Sequence, residues 1–191
     1  MQLTLLAIGK SETSLGRFDL ANIGDAELVL IANTKNEPLS TIANRHLSQS
    51  RDVFGLCHAN AWFGPGSLEI FIKTAMEGKV CGIVGRAIDG VYHWCHTNPG
   101  TVSTLDGCSI FLPVSCKLRF DDVLFNGFHC HVEDMCLQAR KSGMETIVPE
   151  ANATHLDSDP NEHDENWGQD YWRYRALLGN KWKGTPFFTT T

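Results

Sequence analysis

Four apolar runs of strand length recur in the first half of the chain, separated by stretches of helical period or loop composition. They are Leu3 to Ile8, Glu27 to Ala32, Asp52 to Leu56 and Val80 to Val84. A run that stays apolar at successive positions belongs to a strand covered on both faces, as in a parallel sheet sandwiched by helices. Between them, Ser40 to Leu47 reads as a helix with Ser40 as N-cap and Ile42, Ala43 and Leu47 apolar. A second helix begins at Ser67: Leu68, Phe71, Ile72 and Ala75 follow the 3.6-residue period, and Gly78 closes it. Ser11 to Ile23 is a short connection of weak helical character, and Gly24-Asp25 is a turn. This alternation predicts an α/β fold with a mainly parallel, Rossmann-like central sheet flanked by helices.

The second half changes character. Val91 to Cys95, Ser109 to Leu112 and Thr146 to Pro149 read as short strands, and Phe120 to His131 as a loop. Val132 to Lys141 reads as a helix with Val132, Cys136 and Ala139 on one face, and Gly143 sits where a left-handed C-terminal residue belongs. Asp157 to Asp170 is acidic, Tyr171 to Leu178 is an aromatic-rich helix, and Thr185 to Thr191 is a tail. A length of 191 residues suits a single domain with a sizeable core.

A net charge of −6 with no Lys/Arg cluster excludes a phosphate-neutralising nucleic-acid surface. No apolar run approaches the roughly 20 residues of a membrane span. Leu3 to Ile8 lacks a basic flank and a cleavage site, so it reads as a strand rather than a signal peptide. The cysteines Cys57, Cys81, Cys95, Cys108, Cys116, Cys130 and Cys136 lie scattered in apolar segments without a CxxC pair. That pattern points to buried free thiols and a cytoplasmic protein. Cys57-His58, Cys95-His96 and His129-Cys130-His131 invite a metal reading, but adjacent residues on a strand face opposite ways and the spacing matches no structural zinc pattern.

Glu133 and Asp134 open the helix after the His-Cys-His segment. Acids in a first turn complement the helix dipole, and a carboxylate there also suits a general base. The order Thr-Leu-Asp-Gly-Cys, Leu-Arg-Phe-Asp-Asp, Phe-His-Cys-His-Val-Glu-Asp-Met-Cys-Leu-Gln-Ala, then Gly, Val-Pro and His resembles the C-terminal half of family-2-like glycosyltransferases of the GT-A fold. The resemblance runs from about Leu3 to His155 and is sharpest between Asp106 and His155. Cys136 stands where the pattern has a second helix Asp.

By that resemblance residues 1–160 form a compact glycosyltransferase domain, with a nucleotide-binding half (about 1–100) and an acceptor half (about 101–160). Residues 161–191 pack on the same domain as an aromatic helix and tail. Asp134, or else Glu133, would be the base that deprotonates an acceptor hydroxyl in an inverting transfer. Asp106, Gly107 and Trp94 would line the acceptor side. Asn33, at the end of the second strand, with Asn44 and His58, would meet the nucleotide.

The position of the family's metal-binding Asp-x-Asp reads His58-Ala59-Asn60, and His155 would add a further ligand. A His58, Asn60 and His155 set favours Mn²⁺ over Mg²⁺, because imidazole suits softer ions. The resemblance thus implies a glycosyltransferase with a nucleotide-sugar donor, a hydroxyl acceptor and a divalent metal. Two alternatives stand beside it: a non-catalytic nucleotide- or sugar-binding protein on the same scaffold, and a zinc-dependent hydrolase using the Cys/His groups.

Overall fold

The computed structural model describes residues 2–15, 26–156 and 167–190. The Gly24-Asp25 turn, most of the Ser11 to Ile23 connection and most of the acidic segment lie outside them. The central sheet has seven strands: β1 (Leu3–Gly9), β2 (Glu27–Ala32), β3 (Val53–His58), β5 (Val80–Cys81), β8 (Gly100–Thr101), β10 (Ser109–Pro113) and β11 (Thr146–Val148). Their order is β2-β1-β3-β10-β5-β11-β8. β1 pairs parallel with both β2 and β3, and β5 pairs parallel with β11. Two strands run against the rest: β10, between β3 and β5, and β8 at the far edge. The sheet is therefore mixed, with parallel halves joined through a reversed strand.

Helix α1 (Glu12–Leu15) follows β1, α2 (Leu39–Leu47) joins β2 to β3, and α3 (Ser67–Met76) precedes β5. Helix α4 (His131–Lys141) leads into β11, and α5 (Trp167–Lys181) closes the described chain. Two small sheets complete the fold. One pairs β4 (Ala61–Phe63) with β12 (Ala153–His155), and the other has the order β7-β6-β9, from Tyr92–Trp94, Val84–Arg86 and Thr104–Leu105.

The buried strand runs form the core as expected, with one exception. Leu3, Leu5, Leu6, Phe54, Leu56, Ile110, Phe111 and Leu112 are buried, and Phe111 stacks on Phe71 of α3 at 4.6 Å between ring centroids. Phe63 meets both rings edge-on, so it belongs to the core. The exception is β2, which is half-exposed throughout, with Leu30 41% accessible. It is the edge strand next to β1, and its apolar run is covered incompletely.

Other details differ for local reasons. The run from Val80 to Val84 divides at Gly82, so β5 stays in the main sheet and β6 leaves it. A side chain on Gly82 would sit 2.6 Å from the Ser109 carbonyl oxygen, so the bend needs bare backbone there. Ser40 does not cap α2: Pro38 holds the N-cap position, and the Ser40 hydroxyl, inside the first turn, donates to the Phe125 carbonyl at 2.7 Å. The last helix extends further than the aromatic pattern indicated, to Lys181.

A second apolar cluster docks α5. Phe125, Cys130, Leu137, Tyr171, Tyr174, Leu178 and Trp182 pack together between α4 and α5. Asp134 sits under this contact, fully buried. The Trp182 indole N–H donates to Oδ1 at 2.7 Å, Gln138 donates to Oδ2 at 2.7 Å, and the Lys181 ammonium lies 2.9 Å away. Lys181 also donates to Asp121 at 2.8 Å. A buried carboxylate left without its partner is costly, so Lys181→Met should destabilise the fold by about 3 kcal/mol. Chemical denaturation at neutral pH measures this, and a change within 0.5 kcal/mol, roughly that of an ordinary surface substitution, would show that the ion pair does not hold the helix down.

Candidate active site

The carboxyl end of β3 and the start of β10 lie side by side because the two strands are antiparallel: the His58 amide donates to the Cys108 carbonyl at 2.9 Å. The chain turns at Asn60 into β4, and β12 pairs back onto β4 with His155 opposite Ala61. That pairing is fastened by Asn60, which donates to the Leu156 carbonyl at 2.9 Å and receives its amide bond at 3.0 Å. The Asn60 side-chain oxygen lies 3.1 Å from His155 Nε2, and the His58 and His155 rings are 5.7 Å apart. The three residues expected as metal ligands, His58, Asn60 and His155, therefore come together although nearly a hundred positions separate the last from the first.

Asp106 joins them. Its own amide donates to the Val84 carbonyl, and its Oδ1 accepts the Cys108 amide at 2.9 Å, an Asx turn that brings the side chains of residues 106 and 108 to one side. One ligand atom each of Asp106, Cys108 and His155 lies within 4.8 Å of the other two. Among the described residues this is the group of three or more metal-ligating side chains so arranged. The donor set fits a divalent cation: carboxylate, imidazole and thiol oxygen, nitrogen and sulfur atoms converge with His58 alongside. Asp106 thus stands with the metal-ligand candidates, beside the acceptor role expected for it. Cys108 was not singled out as a ligand; its signal was the Asp106-Gly107-Cys108 spacing, in which residues two apart can turn to one side.

Burial governs the titration of the surrounding groups. The His58 imidazole is pushed below its ordinary value by burial, then by the neighbouring His155 and His129, against the opposing charge of Asp106. His131, 1% accessible, has neither ring nitrogen hydrogen-bonded, and burial first, then His58 and His129, lowers it to about 3. Both rings are neutral at physiological pH, the form in which imidazole ligates or accepts a hydrogen bond. Burial pushes the Cys108 thiol well up, with Asp106 adding to the effect.

The two acids that open α4 have opposite surroundings. Cys130 enters the helix in the left-handed conformation, φ 62°, uncommon outside glycine, and the next residues turn inward rather than to solvent. Asp134 is engaged by Trp182, Gln138 and Lys181, away from open space. Glu133, 4% accessible, has an Oε2 without a hydrogen-bond partner. Burial chiefly, then the charges of Asp106 and Asp134, push its carboxyl up to about 8, against its own backbone N–H. The two acids thus differ in geometry: both oxygens of Asp134 are engaged, whereas Glu133 has one, Oε2, without a partner.

The remaining expected residues are spread more widely. Asn33 uses both amide atoms on Glu37, accepting from its N–H at 2.9 Å and donating to its carbonyl at 2.7 Å. Asn44 clamps Phe120 in the same two-pronged way, at 2.8 and 2.9 Å. Both side chains fix loops through these backbone bonds. A Cβ placed on Gly107 meets nothing within 4 Å, so this residue borders open space. Trp94 is 37% accessible on β7, opposite Val84, whose carbonyl receives the Asp106 amide.

Solved structures of similar fold are transferases in two cases. GalNAc-T7, crystallised with UDP, GalNAc and Mn²⁺, superposes with a TM-score of 0.57 at 6% identity, over 83% of this chain and 44% of that one. S. aureus TarS 1-349 in complex with UDP-GlcNAc gives 0.57 at 11% identity, over 98% of this chain and 68% of that one. A197 from STIV gives 0.53 at 12% identity, over 85% and 92%. This chain spans less than half the length of the GalNAc-T7 chain. No protein-family model matches the sequence, and no curated protein sequence matches it either. At such identities the likeness is one of fold: an α/β architecture with a mixed seven-stranded sheet, resembling that of GT-A glycosyltransferases.

The raised Glu133 carboxyl makes a stability prediction. Its folded-state value lies above the unfolded 4.5, so the folded chain holds the proton more tightly. Any stability tied to that proton is complete below the unfolded value and is lost as pH rises through about 8. Glu133→Gln keeps the neutral shape, so in metal-free protein its melting temperature should exceed the parent's by a margin that widens between about pH 5 and pH 8. Equal margins at the two pH values would mean that Glu133 titrates like an exposed acid.

Proposed function

We propose that this protein is a nucleotide-sugar-dependent glycosyltransferase that passes a sugar to an acceptor hydroxyl with inversion. The observation that carries the reading is the buried Glu133 carboxyl, its Oε2 without a hydrogen-bond partner, beside Asp106 and His155 with His58 alongside, at the carboxyl end of β3. Open α/β sheets bind ligands at the carboxyl ends of their strands. Two structures of similar fold contain UDP or a UDP-sugar, which supports the donor class.

The roles follow from the surroundings of each group. The donor diphosphate would lie over the end of β3, where Asp106 and His155, with His58 and Asn60 alongside, would hold a divalent cation. When bound, such a cation would supply charge neutralisation for the leaving diphosphate. Asn33 and Asn44 act from behind, fixing the loops at residues 33–37 and at Phe120 that frame the nucleotide. The acceptor approaches from the side of Gly107 and Trp94. Its hydroxyl oxygen forms a bond to the anomeric carbon as the bond from that carbon to the diphosphate breaks, and the hydroxyl proton passes to Glu133. A carboxyl raised to about 8 is a stronger base than an ordinary one, provided that it is ionised when the acceptor arrives. Asp134 holds the helix that presents Glu133, through its bonds to Trp182 and Lys181.

A thermal-shift series with UDP, GDP and their sugar conjugates, with and without Mn²⁺, tests the donor site. A nucleotide at 100 times its dissociation constant should stabilise the fold by about 2.7 kcal/mol, and the gain should need the cation. Absence of any shift would overturn the reading. Once a donor is known, Glu133→Gln should lower turnover by about 10²–10⁴-fold while donor binding persists. The parent rate should fall on the acid side as Glu133 takes up a proton, and Glu133→Gln should remove that limb of the pH profile. Retention of anomeric configuration in the product would refute the inverting mechanism.

A further inference from the structure

The cation group contains an atom that the family resemblance does not supply. The turn at Asp106-Gly107-Cys108 offers one oxygen and one sulfur, and β12 offers an imidazole nitrogen. Cys108 is fully buried and forms no disulfide, so its sulfur is available to the interior alone. Of the neighbouring thiols, Cys57, Cys95 and Cys130 lie beside histidines in sequence, yet none joins the group. The sulfur that does join is placed by the Asx turn, through the 2.9 Å bond from the Cys108 amide to Asp106.

We propose that Asp106, Cys108 and His155 form a site for one thiophilic divalent cation of the zinc or cobalt(II) class, which excludes magnesium. This deepens the assignment above and rests on its placing of a cation at this group. Ligand softness decides the selection: thiolate and imidazole suit zinc and its neighbours in the first transition row, whereas magnesium requires an octahedron of oxygens. The spacing agrees. In a tetrahedral site, bonds of about 2.3 Å to sulfur and 2.0–2.2 Å to nitrogen and oxygen bring ligand atoms of one ion to about 3.3–3.7 Å from one another. A group already within 4.8 Å needs an inward movement of about 1 Å at its widest separation, within the reach of side-chain rotation. Three protein ligands are the pattern of a catalytic zinc site, which keeps its fourth position for an outside ligand. In this protein the outside ligand is a phosphate oxygen or water. On binding, the Cys108 thiol proton is released to solvent and the sulfur becomes a thiolate, with no oxidation or reduction.

Titration of the metal-free chain with Co²⁺, followed by absorption, reads the site without recourse to activity. The expected result is saturation at one equivalent with a near-ultraviolet thiolate-to-cobalt charge-transfer band. One equivalent of Zn²⁺ should abolish the band, and an excess of Mg²⁺ should leave it intact. Cys108→Ser should remove the band and weaken Co²⁺ binding by more than about tenfold, as loss of a ligand costs at least what loss of a supporting residue does. His155→Ala should weaken binding similarly, while Cys116→Ser, which alters a half-buried thiol outside the group, should keep both band and affinity. Circular dichroism confirms that each variant is folded. Binding without a thiolate band, a band that survives Cys108→Ser, or displacement by Mg²⁺ would each overturn the proposal. The nucleotide experiment is independent. If Mn²⁺ supports donor binding but the cobalt band is absent, the transferase reading stands and this inference fails; a cobalt band without any nucleotide binding gives the reverse.

Discussion

The reversal of β10 between β3 and β5 is the constraint on which the site depends. A parallel neighbour would put the start of β10 at the opposite end of the sheet from His58. Running antiparallel, it sets Cys108 against His58 through a backbone hydrogen bond, and its preceding turn delivers Asp106 to the same place. The flanking halves of the sheet then contribute one wall each. From the first comes the end of β3 and, through β4, the ribbon that carries His155; from the second comes α4, which enters β11. The candidate site lies at the seam where strand direction changes.

Adjacent carboxyl groups on α4 show how burial with and without partners divides two similar residues between two tasks. Both are screened from water, and neither is explained by a favourable interaction with the helix dipole at the surface. Asp134 meets an ammonium, an indole N–H and an amide, so its charge is compensated and it serves as the anchor for α5. Glu133 meets no such donors at Oε2 and remains protonated to higher pH. Low dielectric makes the compensated group rigid and raises the pKa of the uncompensated one.

Much of the fold was legible because apolar periodicity reports burial directly. The strands near Leu3, Val53 and Ser109 and the helices after Ser67 and His131 appeared where their patterns placed them. Strand order was not legible, since nothing in Ser109 to Leu112 announces that it runs against Val53 to His58. The edge position of β2 was hidden for the same reason: an apolar run looks alike at the centre and the border of a sheet. Of the site, the union of His58, Asn60 and His155 followed from the resemblance, and the geometry brings them together. The commitments of Asn33 and Asn44 to backbone could not be read, because an amide that clamps a loop and one that binds a base have the same sequence. Nor could the different surroundings of Glu133 and Asp134, which turn on Lys181 and Trp182 arriving from 47 and 48 residues away.

The β4–β12 ribbon has a further consequence. It pairs only three residues with three, apart from the main sheet, and such a two-stranded element is marginal by itself. Ala61, Phe63 and Ala153 seat it in the core, and Asn60 fastens its end to Leu156. His155 therefore keeps its place beside Asn60 and His58 through this short ribbon rather than through the seven-stranded sheet.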